Sequence, residues 1–189
     1  MANVTVTTAI YPLSAPFGLN FYQVDSPVSA SGIAGGTGLT ATNQGPTQTV
    51  GTIVPTSIGF LLYGVATASL TVNKLNYMTQ DATYGAFSFT IVPVAASVAA
   101  LGPNIVGTPL TAMTVGQFGW FWVGGGIWNI DTANTVTALA QLTVSTSVTG
   151  RADTGGSKYI GATNLDTTNA AAATRVFAPS VMMINQLYS

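Results

Sequence analysis

The sequence contains no histidine, no cysteine and no glutamate, and only 5% of its 189 residues are charged, against roughly 25% in an average globular domain. Each absence excludes a class of chemistry. Without histidine there is no side chain whose ordinary pKa lies near neutrality. Without cysteine there is no disulfide and no thiol nucleophile, and structural zinc, which draws mainly on Cys and His, is excluded. The missing cysteine leaves the redox compartment open. The four cations, Lys74, Arg151, Lys158 and Arg175, are scattered. Nucleic-acid binding needs clustered cations that displace counterions, so no nucleic-acid partner is expected. Long hydrophobic runs are also lacking. A spanning helix needs about 20 mostly apolar residues, and the most apolar stretch, Thr90 to Leu101, contains Pro93 and stops at Gly102-Pro103. Met1 to Ile10 has no basic start, so no secretory signal is read there. No membrane partner is expected, although the mean hydropathy is +0.47.

What is present is Ala, Val and Ile spread among Thr and Gly, which is a β composition. The chain is long enough for one sizeable core, with an arm appended. Residues 1–52 read as that arm. Ala2 to Tyr11 alternates like a strand, then Pro12, Pro16, Pro27 and Pro46 punctuate a stretch rich in Ser, Gly, Thr and Asn. Ser29 to Gly38 reads as a loop. Phe17, Leu19, Phe21 and Tyr22 supply more aromatic and apolar surface than a pure linker carries, which favours an arm that orders against a neighbouring subunit.

From residue 53 to 189, strand and turn signals recur at close spacing, predicting a mainly β domain, a small antiparallel barrel or sandwich. Strands are predicted at 58–65, 86–92, 118–123, 127–130, 138–148, 158–161, 175–178 and 181–184. Phe87, Phe89 and Ile91 fall on one face of theirs. Gly124-Gly125-Gly126 is read as the turn that ends the aromatic strand Phe118–Val123. Helix signals are confined to Val94–Leu101, stopped by Gly102-Pro103, and to a single turn or loop over Asp166–Thr174. Ile105–Thr111 and Tyr159–Leu165 share an apolar–Gly step before a loop and a strand, as glycines at bulges do.

The residues offer little for catalysis. A Ser nucleophile would need Lys or Asp as base, and the adjacent Ser157 and Lys158 would point to opposite faces of a strand. The five carboxylates, Asp25, Asp81, Asp131, Asp153 and Asp166, each precede Ser, Thr or Ala, where Asp commonly closes an Asx-turn. Turn or cap roles are expected for all five. No catalytic residue, metal ligand or cofactor site is predicted, and the chain is read as not an enzyme. Trp120 and Trp122, with Phe118, share a strand face, and Trp128 follows. This strip reads as core or subunit interface, with a sugar-stacking platform as the rival. The candidate protein-interface residues are therefore Phe17, Leu19, Phe21, Tyr22, Phe118, Trp120, Trp122 and Trp128.

The segments Val106–Leu110, Gly116-Gln117-Phe118-Gly119-Trp120 through Val123, Gly124-Gly125, Tyr159–Ala162, the loop Ala170–Thr174 and the strand Arg175–Pro179 together resemble the decoration (cement) proteins of tailed-bacteriophage heads. The Gly-Gln-x-Gly-Trp step is the most specific of these. The resemblance covers somewhat under half the chain and leaves out the arm, residues 57–104 and the very low charge. It implies a small β-barrel on the capsid exterior, commonly a trimer, that clamps neighbouring copies of the major capsid protein. It places the chain in the virion after synthesis in the host cytoplasm. The arm is expected to carry part of the lattice binding. A carbohydrate-binding module using the tryptophans and a small major coat protein are the alternatives.

Overall fold

The computed structural model describes residues 21, 22, 24, 48–83, 85–94, 104–156, 158–167 and 172–186, and of residues 86, 185 and 186 the backbone only. Among these the fold is all strand: β1 (Ile53–Thr56), β2 (Gly59–Ala66), β3 (Asn76–Asp81), β4 (Gly85–Ile91), β5 (Asn104–Pro109), β6 (Phe118–Asp131), β7 (Gln141–Val144), β8 (Ala152–Asp153), β9 (Lys158–Asn164), β10 (Ala173–Val181) and β11 (Met183–Gln186). Most of the arm, and residues 95–101 of the predicted helix, lie outside the described residues. So do residues 168–171 of the second helical candidate, whose end, Ala173–Thr174, instead opens β10.

Five strands close on themselves. β2 pairs with β4, β4 with β3, β3 with β5, β5 with β6, and β6 again with β2. The predicted antiparallel arrangement holds except between β2 and β4, which run parallel. β3 reverses the chain and takes the far side of β4, so β4 returns in the direction of β2. Side-chain alternation sorts the ring's residues into two clusters. Leu62 and Ala66 of β2, Phe89 of β4 and Phe121 and Val123 of β6 are buried together, with Phe87, Met78 and Ile105 packed against them. Each strand of the ring thus contributes to one cluster, which fills it. Phe89 and Phe121 stack there at 3.9 Å between centroids. Ile91, predicted to share the face of Phe87 and Phe89, sits at the strand's end and is partly exposed.

The opposite alternation, Leu61 and Tyr63 of β2, Val106 of β5 and Trp120 and Trp122 of β6, packs outside the ring. It is covered by a second layer in which the far half of β6 pairs with β10, β10 with β9, β9 with β7 and β7 with β8. Ile130, Leu142, Val144, Ile160, Ala162, Val176 and Ala178 face inward from that layer into the same cluster. β11 continues β10 beyond Met182 and fills the fork where β5 leaves β6, pairing with β5 on one side and β9 on the other.

Both layers depend on β6 being one strand of 14 residues. The predicted turn at Gly124–Gly126 is therefore a correction: the glycines lie inside β6. Gly124 and Gly125 have φ of 119° and 74°, and the ladders on both sides shift register there, opposite Phe60/Leu61 of β2 and Ala178/Val181 of β10. A Cβ on Gly124 would run into the Ser180 carbonyl, one on Gly125 into the Phe60 ring and one on Gly126 into the Ile58 carbonyl. These glycines do not stop the strand. They let it bend from one layer into the other while neighbouring chain lies directly against it.

Candidate interaction surfaces

Of the eight residues proposed for an interface, Phe17 and Leu19 lie outside the described residues. Phe21, Tyr63, Phe118 and Trp120 form one aromatic cluster. Phe21 is 3% exposed and meets the Trp120 ring edge-on at 5.1 Å, Trp120 meets Tyr63 at 5.1 Å, and Tyr63 lies parallel to Phe118 at 6.5 Å. The backbone carbonyl of Tyr22, whose side chain is exposed, accepts a 2.9 Å hydrogen bond from Thr111 Oγ1. Val24 packs on the ring's interior cluster. This part of the arm therefore anchors to both cores of its own chain. Trp122 is fully buried, and its Nε1 donates to the Ile58 carbonyl at 2.8 Å. Trp128, beyond the glycines, is half-buried against the inter-layer core, with its Nε1 buried and unpaired.

The motif behind the resemblance has a local structural role. Gly116 takes φ 81° in the turn Thr114–Gln117, where the Gln117 N–H donates to the Thr114 carbonyl at 3.1 Å. The Gln117 side-chain oxygen accepts from the Thr114 N–H at 2.7 Å. Gly116 N–H and Ala66 N–H then tie the turn to β2, donating to the carbonyls of Ala66 and Gln117. Gly119 sits opposite Gly64 across the β2–β6 ladder, and a Cβ on Gly64 would strike the Phe89 ring at 2.7 Å. Turn, cap and cross-strand glycine pair thus launch β6 with Trp120 facing out of the ring.

The polar groups are mostly engaged with one another. Asp81 accepts from the Thr83 N–H at 2.7 Å, and Asp153 from Thr154 N–H at 2.8 Å and Asn134 Nδ2 at 2.6 Å, the turn roles predicted. Asp131 and Asp166 instead pair with cations, a difference from that expectation: Asp131 with Lys74 at 2.9 Å, and Asp166 with Arg175, which reaches both carboxylate oxygens at 2.7 and 2.8 Å. Register places each cation beside its acid: the Asp131 N–H donates to Asn73, next to Lys74, and the Leu165 N–H donates to Arg175. Asp25 lies outside the described residues, as does Ser157. Among the described residues no group of three metal-ligating side chains occurs.

Hydrogen bonds from the Arg175 guanidinium, and then its charge, hold the Asp166 carboxyl below its ordinary 3.8. A depressed folded-state value means the pair contributes stability above the unfolded pKa and loses it as pH falls through the folded one. The wild-type melting temperature is therefore expected to fall more than that of Asp166→Asn across roughly pH 4 to 2. The difference will be small, because the pair is exposed. Parallel melting curves for the two proteins would contradict it.

Residues that sequence reasoning passed over lie on the outer face of the second layer. Phe177 of β10 stands directly opposite Ile127 of β6, and they are 42% and 49% exposed. Arg175 is two residues from Phe177 on the same outward alternation. The signal was available: an arginine outward on an alternating strand puts the residue two positions on outward as well. Leu139, before β7, is 76% exposed.

No protein-family model matches the chain, and no curated protein matches it. Among solved structures it is similar to the head fiber gp8.5 N base in bacteriophage phi29, with 10% sequence identity and a TM-score of 0.47, over 64% of this chain and 95% of that one.

Proposed function

We propose that this chain is a non-enzymatic virion structural protein that binds the exterior of a bacteriophage head and stabilises it by clamping neighbouring copies of the major capsid protein. It does so as a homo-oligomer, after synthesis in the host cytoplasm. The observation that carries the reading is the Gly116–Trp120 segment, the most specific point of resemblance to head decoration proteins, set in a chain with so little charge. Low charge suits a surface covered by other protein, since interface cores are depleted of charged residues. A modest contact repeated over a lattice gains strength through avidity. The burial of Trp120 and Trp122 takes two of three indoles away from a sugar-stacking platform, so the carbohydrate alternative rests on Trp128 alone.

The test is mechanical. Heads assembled without this protein are heated with and without saturating purified protein, and DNA release is followed. The expected result is a higher release temperature and a fixed number of copies bound per head. An unchanged release temperature at saturation would overturn the proposal.

A further inference from the structure

We infer that the outward face of the second layer, around the Ile127–Phe177 pair and the Arg175–Asp166 ion pair, is where a second copy of this chain docks. The inference rests on the reading of the chain as a self-associating structural protein and assigns the surface that does it.

Three observations point to this face. The first is apolar exposure in a single cross-strand unit: Phe177 lies against Ile127 on one side and is paired in register with Thr163 of β9 on the other. The second is strain. Leu139 has φ 63° at the third position of the turn Thr137–Ala140, closed by Ala140 N–H to the Thr137 carbonyl at 3.4 Å. Glycine or asparagine is usual there, and a left-handed backbone costs an ordinary residue about 1–2 kcal/mol. An apolar side chain is thus held out to solvent on an unfavourable backbone. Asn164 enforces the arrangement. It is fully buried, its carbonyl accepts the Leu139 N–H at 2.8 Å, and its Nδ2 donates to the Thr137 carbonyl at 3.1 Å and to the Asp166 carbonyl. Its Oδ1 accepts from Thr174 Oγ1 at 2.6 Å. One buried amide therefore positions the Leu139 turn, the Asp166 backbone and the strand carrying Arg175 and Phe177.

The third observation is charge, and it selects the occupant. Lys158 on β9 is buried, on the inward alternation, and Asp131, at the end of β6, pairs with Lys74. Among the described residues, Arg151 before β8 is part-buried with its Nε enclosed, and the face offers outward an acid and a base side by side, Arg175 65% and Asp166 37% exposed. A face with both signs paired at one spot is self-complementary. Turned about a twofold axis, a second copy brings its Asp166 toward the first copy's Arg175 and the reverse, with the Phe177–Ile127 surfaces meeting beside them. A net charge of -1 per chain leaves little repulsion to oppose the pairing.

The test is the native mass of the full chain by light scattering after size exclusion, over a concentration series. A dimer, in place of the trimer that the resemblance implies, is expected for the wild type, because the paired charges of this face are self-complementary only about a twofold axis. Phe177→Asp should raise the dissociation constant roughly tenfold or more, as loss of a central interface anchor does. Arg175→Asp should also weaken it, and the swapped double variant D166R/R175D should restore it. Leu139→Asn accepts the left-handed backbone, so it should weaken association while leaving the melting temperature equal or higher, which separates docking from folding. Val115→Asp, at an exposed turn of the ring, should leave the mass unchanged. A monomeric wild type at every concentration, or a Phe177→Asp protein of native circular dichroism and unchanged mass, would overturn the inference. Capsid binding by the Phe177→Asp protein is measured separately, so loss of self-docking and loss of the virion role are distinguishable.

Discussion

Gly124→Val is expected to destabilise the protein by roughly 2–6 kcal/mol, combining about 1–3 for backbone strain and about 1–3 for overpacking. That is a large share of the roughly 5–15 kcal/mol holding a typical domain folded. The strain arises because Gly124 has φ 119°. The overpacking arises because the new Cβ would meet the carbonyl of Ser180 and, at 3.1 Å, the nitrogen of Met182. These are backbone atoms of β10 and its junction with β11, and they cannot swing aside as a side chain can. Gly85→Ala separates the two contributions. Gly85 has φ 78°, and a methyl group there would meet nothing within 4 Å, so this variant should show the backbone cost alone, about 1–2 kcal/mol. Urea denaturation of the three proteins measures both. Equal midpoints for Gly124→Val and Gly85→Ala would show that the strands can part at the bend and that the close approach is not essential.

Trp122→Ala should cost about 3–5 kcal/mol for the deleted ring, and it leaves the Ile58 carbonyl without its indole donor. An unpaired buried acceptor adds about 1–3 kcal/mol unless water reaches it. Trp122→Phe bounds that second effect from above, because it keeps much of the volume but loses three ring atoms, the N–H among them. The site matters because Ile58 belongs to the β1–β2 turn lying across the glycine bend: a Cβ on Gly126 would run into its carbonyl, and one on Gly59 would meet the Gly124 carbonyl and, at 2.8 Å, the Trp122 Nε1. Trp122 therefore fastens the turn to the point where β6 changes layer. If Trp122→Phe melts at the wild-type temperature, that bond contributes nothing net and the fastening is by packing alone.

These two positions also mark what could be read in the sequence and what could not. Alternation made β4 and β7 legible, and placed Phe118, Trp120 and Trp122 on one face, because a half-buried strand repeats every second residue, whereas β2 was legible as a continuous apolar run that the structure buries on both faces. β3 was not legible: its run of Tyr77, Met78, Thr79 and Gln80 gives no apolar period, and its place is set by pairing with β4 and β5. The glycine triplet misled because a turn and a close backbone approach use the same residue, and only the neighbouring strands distinguish them. Asp166 and Arg175 meet because β10 returns beside β9, a fact of topology. Leu139 was invisible for a different reason, since its backbone conformation is one that leucine disfavours. Thus the interior followed from periodicity, whereas the outer surface depended on register and on strain.

The central claim, that this chain is made to coat a phage head, is tested most directly by cosedimenting the labelled full-length protein with purified heads that lack it. Saturable binding is expected, with a constant number of copies per head, undiminished by an excess of soluble glycans. Sedimentation no greater than without heads, or binding abolished by glycan, would contradict it.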